Sequence, residues 1–394
     1  MNFTDRIKRV KVSLTIGMAK KARELRAEGK DVISLSLGEP DFDTPAHIKE
    51  AAKKAIDQGK TKYPPVGGIA ELKQAICDKF KRDNNLSFET NQVMVSTGAK
   101  QCIMNVMLSL CQEGDEVLIP LPYWVSYSEM VRFTGATPVF VPAKFEEGFK
   151  IDIEQLKALT NERTKLIIFS SPSNPAGSVI AKEELKAIAE VVRNNPQITV
   201  ISDEIYEHIV FDHPHESISQ FPEILDQLII VNGVSKAFAM TGWRIGYMAG
   251  PKEIIAACDK LQGQFTSGAN SIAQWAAVTA LNEDLKPSLD MVATFKKRRD
   301  IMVELLSEVE GFEVDTPMGA FYLFPRVSNL YGQTFQGVHI ENSMDLAAYI
   351  LDKALVSVVP GVAFGMEEHI RISYASSEAE LREAVKRIKE VLTP

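Results

Sequence analysis

The stretch Leu228-Ile-Ile-Val-Asn-Gly-Val-Ser-Lys236-Ala-Phe-Ala-Met-Thr-Gly-Trp-Arg244-Ile-Gly-Tyr247 decides the reading of this chain. An apolar, strand-like run delivers Lys236 to a Gly/Ser turn, surrounds it with apolar residues and sets Arg244 eight residues beyond. A lysine in apolar surroundings loses hydration of its ammonium form, so its pKa falls and a neutral, nucleophilic amine becomes accessible. Such an amine suits Schiff-base chemistry, and the planar fork of Arg244 suits a phosphate. Taken alone, the segment slightly favours the plainer reading of a solvated lysine at a strand edge. Three further segments reverse that.

Leu166-Ile-Ile-Phe-Ser-Ser-Pro-Ser-Asn174-Pro-Ala-Gly177 is an apolar run ending in a Pro/Ser/Asn/Gly cluster, the pattern of a strand feeding a fixed loop. Asn174 would stand at the carboxyl end of a sheet strand, where ligands commonly bind, although Asn before Pro is also an ordinary turn residue. Ile198-Thr-Val-Ile-Ser-Asp203-Glu-Ile-Tyr206 is a β-branched strand ending in an acid. Such an acid is costly to desolvate unless it meets a cation; the plainer use of Asp203 is as a cap. Val93-Met-Val-Ser-Thr-Gly98-Ala99-Lys100-Gln-Cys-Ile-Met is a strand, a Thr-Gly turn and a helical apolar pattern. A helix N-terminus presents free N–H groups that can hold a phosphate, while a Ser-Thr-Gly helix start by itself is common punctuation.

In this order, the four segments resemble the fold-type I, pyridoxal-phosphate-dependent aminotransferases of class I, in the aspartate aminotransferase branch. The resemblance reaches both ends of the chain. It includes Ser36-Leu-Gly38-Glu-Pro-Asp-Phe-Asp-Thr-Pro45 and Lys62-Tyr63-Pro-Pro-Val-Gly-Gly, then Val359-Pro-Gly-Val-Ala-Phe-Gly and His369-Ile-Arg371-Ile-Ser-Tyr-Ala.

The resemblance implies pyridoxal 5′-phosphate as cofactor and a role for each matching residue. Lys236 would hold the cofactor aldehyde and, once displaced by the substrate amine, carry the proton between the substrate α-carbon and C4′ of the cofactor. A proton shuttle works best with a pKa near the working pH, well below the roughly 10.4 of free lysine. Asp203 would pair with the pyridine nitrogen and keep it protonated. Asn174 and Tyr206 would hydrogen-bond the phenolic oxygen of the ring, and Trp124 would stack on its face. Gly98, Ala99, Lys100, Ser235 and Arg244 would hold the phosphate, joined by Tyr63 of a neighbouring subunit. A homodimer with shared active sites is therefore the expected assembly. Arg371 would take the substrate α-carboxylate as a bidentate pair, with Gly38 bringing a backbone group to it and Trp124 and Asn174 bordering the substrate.

Best-known aspartate aminotransferases take the distal carboxylate with an arginine in the segment corresponding to Gln264-Phe-Thr-Ser-Gly-Ala-Asn-Ser271, where this chain has neither arginine nor lysine. A bacterial and plant subgroup lacks that arginine, and the chain resembles it closely. There Lys100, with N-terminal polar residues, would contact the distal carboxylate; Ser13 and Thr15 match best, then Lys11. The implied reaction moves the amino group from aspartate to 2-oxoglutarate by a ping-pong mechanism, with prephenate a further acceptor. Two alternatives share the fold: a prephenate or aromatic aminotransferase, and a C–S β-lyase, which would release pyruvate and ammonia without consuming an oxo acid. A cofactor-sensing regulator module ranks last, because only about 30 residues precede the first motif, too few for a helix-turn-helix domain.

Composition agrees. The 394 residues, 45% hydrophobic, are enough for a large core in two domains. A net charge of −8, from 52 acids and 44 bases, argues against nucleic-acid binding, which needs a positive field. Cys77, Cys102, Cys111 and Cys258 lack CxxC spacing and read as buried free thiols in a reducing compartment. Among six histidines only His213-Pro-His215 forms a pair, which reads as a surface loop, and no metal-ligand spacing is recognisable. The N-terminus has no apolar signal region, and no run approaches the ~20 apolar residues of a membrane helix. The cytoplasm is the expected location.

Strand patterns at Gln92–Ser96, Glu116–Ile119, Thr137–Phe140, Leu166–Phe169, Thr199–Ser202, Gln227–Val231 and Ile245–Ala249 alternate with helical ones. The helical patterns include Pro45–Gln58, closed by Gly59, and Lys182–Arg193. The alternation predicts an α/β fold, a mostly parallel seven-stranded sheet between helices. Beyond Lys286 come helical patterns at Pro287–Leu306 and Glu378–Val391, with a polar loop near Asn329–Asn342 between them. The resemblance implies a large cofactor-binding domain at 46–285 and a smaller α+β domain made of 1–45 with 286–394.

Overall fold

A computed structural model describes residues 2–393; Met1 and Pro394, the outer ends of the expected smaller domain, lie outside the described residues. Seven segments form one sheet: β1 Val93–Ser96, β2 Glu116–Pro120, β3 Thr137–Val141, β4 Thr164–Ser170, β5 Thr199–Asp203, β6 Leu228–Gly233 and β7 Gly246–Ala249. They are the seven expected strands, with bounds moved by no more than two residues. Across the sheet they run β1-β7-β6-β5-β4-β2-β3. All neighbours are parallel except β7, which is antiparallel to both β1 and β6.

The strands read as unbroken apolar runs because both faces of the sheet are covered. Successive side chains go to opposite faces. On β6, Leu228 and Ile230 join one core and Ile229 and Val231 the other. The helix Lys182–Arg193 has its expected bounds, and Ala46–Asp57, Lys286–Ser307 and Glu378–Leu392 lie close to theirs. Pro45 caps its helix rather than opening it. Its carbonyl accepts the first helical N–H groups, but its ψ of 143° is extended. The polar stretch near 329–342 is not only loop: Thr334–Phe335 pairs antiparallel with Val338–His339. Gln336 and Gly337 both take positive φ, 47° and 81°, in the two-residue turn that matches strand twist. Gln-Gly signals such a turn weakly, which hid the hairpin in the sequence.

A second core gathers around a small antiparallel sheet of Tyr322–Leu323, Ile370–Ser373 and Val359–Pro360, with Phe295, Phe321 and Tyr374 fully buried. Ile33–Ser34 pairs parallel with Val356–Ser357, which binds the N-terminal segment to this core. Ile205, Tyr206 and Ile209, just past β5, pack into the same cluster. All four cysteines are buried free thiols. Among the described residues no helix is long and apolar enough to cross a membrane.

The reversed direction of β7 has a local consequence. Its first residues stand at the same edge as the last residues of β1 and β6, where the helix Ala99–Leu110 begins. Gly246 sits at that junction, and a Cβ there would run into the backbone of Gly98 and Ala99. Gly246→Ala is expected to destabilise the fold by about 1–3 kcal/mol, the usual cost of overpacking. An unchanged urea midpoint would show that the helix start yields freely.

Candidate active site

Parallel strands deliver their carboxyl ends to one edge, and ligands bind there because loops and helix starts converge. β4 ends at Ser170, β5 at Asp203 and β6 at Gly233. Ser170 and Asp203 are register partners, as are Asp203 and Val231. A cavity of about 390 Å³ opens over these ends.

Lys236 reaches this cavity two residues after Val234 and donates to the carbonyl oxygen of Gly38. The rings of Tyr206 and Phe321 lie 5.9 Å from its ammonium nitrogen. Burial pulls its pKa down to about 8, aided by Arg371 and Arg244 and opposed by Glu39. Asp203, only 4% exposed, faces the same space. Its Oδ2 accepts a 2.6 Å hydrogen bond from the Tyr127 hydroxyl, and its Oδ1 accepts one from the Ile205 amide at 3.3 Å. Burial pushes its pKa up to about 6 against those two hydrogen bonds. A carboxyl so held gains most from a cationic N–H placed before it.

Arg371 is 2% exposed. Its Nη1 donates to Asn174 Oδ1 at 2.8 Å and its Nη2 to the carbonyl of Ser36 at 2.6 Å. Its Nε has no partner among the described residues. A guanidinium can only donate, so the oxygen of the Asn174 amide faces Arg371 and its NH₂ faces away. Tyr206 stands nearby, its hydroxyl 2.8 Å from that of Tyr322.

The far end of the cavity suits an anion. Gly98 has φ +84°, a conformation that strains a residue with a Cβ, and a Cβ there would displace the Arg244 guanidinium. Arg244, itself at φ 57°, donates through Nη1 to the carbonyl of Thr241 at 2.9 Å and leaves Nη2 toward the helix start. The first amides of the Ala99–Leu110 helix are free of intrahelical partners. Ser235 lines the same space, and the Lys100 ammonium lies 4.9 Å from the ring centroid of Trp124. A buried acid, an amine of lowered pKa and this anion cradle together fit a phosphorylated pyridine aldehyde.

The expected residues thus converge from across the chain: Gly38, Ala99, Lys100, Trp124, Asn174, Asp203, Tyr206, Ser235, Lys236, Arg244 and Arg371 border one cavity. Thr15 joins them, its Oγ1 buried without a partner among the described residues. Ser13 does not; it borders an adjoining groove with Lys11 that shares Lys100 and Arg244. Tyr63 lies away from this cavity, 98% exposed on the surface. Sequence reasoning missed Tyr127 and Tyr322, whose partners lie 76 and 116 residues away. It also missed Glu39, which accepts from the Thr241 hydroxyl. The surface reading of the His213/His215 pair holds for His213, which is exposed, but not for His215. His215 is mostly buried and meets Glu204 at 3.1 Å, and Glu204, Glu207 and His215 bring ligand atoms within 4.8 Å of one another. Lys79, fully buried, forms an ion pair with Glu207 and already supplies a cation there.

Residues 30–388 match the family model for class I and II aminotransferases. The chain is 49% identical to a bifunctional aspartate aminotransferase and glutamate/aspartate-prephenate aminotransferase of Petunia hybrida, over 100% of this chain and 83% of that protein. It is 48% identical to an aspartate/prephenate aminotransferase of Cereibacter sphaeroides, over 98% of each. Among solved structures, an aspartate aminotransferase from Rhizobium meliloti superposes with a TM-score of 0.96 at 42% identity, covering 100% of this chain and 99% of that one. A lysine and a buried acid at the strand ends, an anion cradle at a helix start and this likeness along nearly the whole length agree: the chain belongs to the class I and II aminotransferase family.

Proposed function

We propose that this chain is an aspartate aminotransferase, passing the amino group of aspartate to 2-oxoglutarate in two half-reactions that release oxaloacetate and glutamate. The observation that carries the reading is the buried guanidinium of Arg371, with a free Nε, in one cavity with Lys236 and Asp203. The family's cofactor is pyridoxal 5′-phosphate, which supplies an aldehyde for the amine and a ring that accepts the electron pair left when the α-proton goes.

The chain's residues do the rest. Asp203 holds a proton on the pyridine nitrogen. The NH₂ of Asn174 and the hydroxyl of Tyr206 would donate to the ring's phenolic oxygen, and Trp124 would cover the ring face. Gly98, Ala99, Lys100, Ser235 and Arg244 would hold the phosphate. Arg371 binds the α-carboxylate and so fixes which bond at the α-carbon stands in line for cleavage. Lys236, its pKa near 8, is neutral often enough near neutral pH to take the α-proton and return it at C4′. Lys100 and Thr15 take the distal carboxylate, with Ser13 and Lys11 at the edge of the adjoining groove. Prephenate, a 2-oxo acid with a second carboxylate, serves as a further acceptor, as the names of the petunia and Cereibacter relatives suggest.

Residues 46–285 form the large domain, and residues 1–45 with 286–394 the small one, so that Arg371 and Lys236 stand on opposite sides of the substrate. The assembly is a homodimer. A 98% exposed Tyr63 supports this reading, as does an open concavity beside Arg244 and Trp243 where Tyr63 of the partner subunit would reach the phosphate. Four buried free thiols fit the reducing cytoplasm.

The deciding experiment is single-turnover spectroscopy on the cofactor-loaded protein, with aspartate, glutamate, phenylalanine and alanine added separately. Aspartate and glutamate are expected to discharge the visible band quickly, with 2-oxoglutarate restoring it; conversion of alanine or phenylalanine alone would sink the dicarboxylate reading. Arg371→Ala is expected to weaken every amino acid, by about 3–5 kcal/mol for a broken buried charge pair. Lys100→Ala should weaken aspartate far more than alanine, and equal losses would leave Lys100 a phosphate role alone. The lowered pKa of Lys236 makes a separate prediction. Attachment of the cofactor to the apoprotein needs the neutral amine, so its rate should rise with pH through a midpoint of about 8; a midpoint near that of free lysine would refute the effect of burial.

A further inference from the structure

Two phenols meet where the two cores join. Tyr206, three residues past the end of β5, and Tyr322, on the short strand Tyr322–Leu323, stand hydroxyl to hydroxyl at 2.8 Å. Tyr206 is 3% exposed and Tyr322 is fully buried. Burial raises the pKa of both, so they meet as neutral hydroxyls. In such a pair one donates and the other accepts. Tyr322 also meets two further groups of the site. Its ring lies 4.6 Å from the Arg371 guanidinium carbon. Its hydroxyl reaches Gly38 so closely that a Cβ there would collide with it. One side chain thus touches the group offered to a substrate carboxylate, the backbone that holds Lys236, and Tyr206.

We propose that Tyr322 is a positioning residue that couples the occupancy of Arg371 to the hydrogen bond Tyr206 gives to the phenolic oxygen of the cofactor. The proposal rests on the roles given above to Tyr206 and Arg371. When Tyr206 donates to that oxygen, its own oxygen is left to accept, and Tyr322 is the donor within reach. A donor behind Tyr206 strengthens its donation, because linked hydrogen bonds polarise one another. The cation beside Tyr322 keeps its hydroxyl a good donor. A carboxylate on Arg371 offsets that charge, weakens the chain Tyr322–Tyr206 and lets the proton affinity of the lysine-bound cofactor rise. Substrate binding in the small-domain pocket would in this way be felt at the lysine without any contact between the two.

The charged groups facing the pair are Arg371 from the strand Ile370–Ser373, Asp203 from the end of β5, and Lys236 from the loop after β6. None of them changes in Tyr322→Phe, which keeps the ring against Arg371 and removes one oxygen. The readout is the pH midpoint of the visible absorbance of the cofactor-loaded protein, with and without maleate, a dicarboxylate that carries no amine. Relative to the parent, in which saturating maleate is expected to raise the midpoint, Tyr322→Phe is expected to raise it by about half to one pH unit, the size of one neutral hydrogen bond, and to shrink the further shift with maleate. Tyr206→Phe, run alongside, should raise the midpoint further. A Tyr322→Phe protein with the parental midpoint and maleate shift, beside a moved Tyr206→Phe, would overturn the coupling while leaving the Tyr206 role intact. An unmoved Tyr206→Phe would remove that role, and the coupling with it. Should Tyr322→Phe fail to fold, Gly38→Ala displaces the same hydroxyl and is expected to raise the midpoint in the same sense; a parental midpoint there would equally overturn the proposal.

Discussion

Burying the guanidinium of Arg371 without a carboxylate against it is the constraint around which the site is arranged. An isolated ion taken from water costs several kcal/mol even after relaxation, and among the described residues its hydrogen bonds go only to neutral oxygens, of Ser36 and Asn174. Two aromatic faces add partial compensation, Tyr322 at 4.6 Å and Phe364 at 5.0 Å. Meeting these needs ties remote parts of the chain together. The backbone of Leu35 donates to Ser357 and accepts from Ser373, and so carries Ser36 to the guanidinium. The loop after β4 brings Asn174 and must orient its amide oxygen inward. The residual deficit, an Nε with no partner, favours a ligand carboxylate over any internal group.

Burial sets the two titrating groups of the centre in opposite directions. It lifts Asp203 to about 6 and lowers Lys236 to about 8, so both lie closer to neutrality than in water. The cause is shared, but the protein treats the two differently. Asp203 keeps a short hydrogen bond from Tyr127 that limits the rise. Lys236 donates to a backbone carbonyl rather than to a carboxylate, and Glu39 and Asp203 offset only part of the effect of burial on its ammonium. One group is thereby suited to stay charged opposite a cation, and the other to lose and regain a proton.

Asp203 and Glu204 are neighbours in the chain but serve different places. Asp203 turns to the cavity, while Glu204 turns to Ser202, Ser217 and His215. Next to it Glu207 pairs with the fully buried Lys79. Against the cost of burial, Lys79 and His208 hold the Glu207 carboxyl well below the usual range. Glu204 holds the His215 imidazolium above its ordinary value, again against burial. This ion network closes the underside of the segment after β5. It explains how a turn dense in acids can sit inside the protein.

Much of this was legible in the sequence. Continuous apolar runs such as Leu228–Val231 gave the strands, because a strand covered on both faces must be apolar throughout. The punctuation after them, Thr97-Gly98, Ser173-Asn174 and Ser235-Lys236, marked the edge where chemistry belongs. The hairpin at 334–339 escaped because Gln-Gly is a weak turn signal, and Pro45 stood one position from its expected place because its ψ stays extended. Tyr127 and Tyr322 left no trace, since a hydroxyl aimed at a partner 76 or 116 residues away has no period or spacing to betray it. Local pattern thus determined the strands, the helix starts and the residue types offered to the site. Only the tertiary structure decided which side chains face one another, how far each loses its water, and therefore where their protons reside, because desolvation is a property of the packed surroundings and not of the neighbours in sequence.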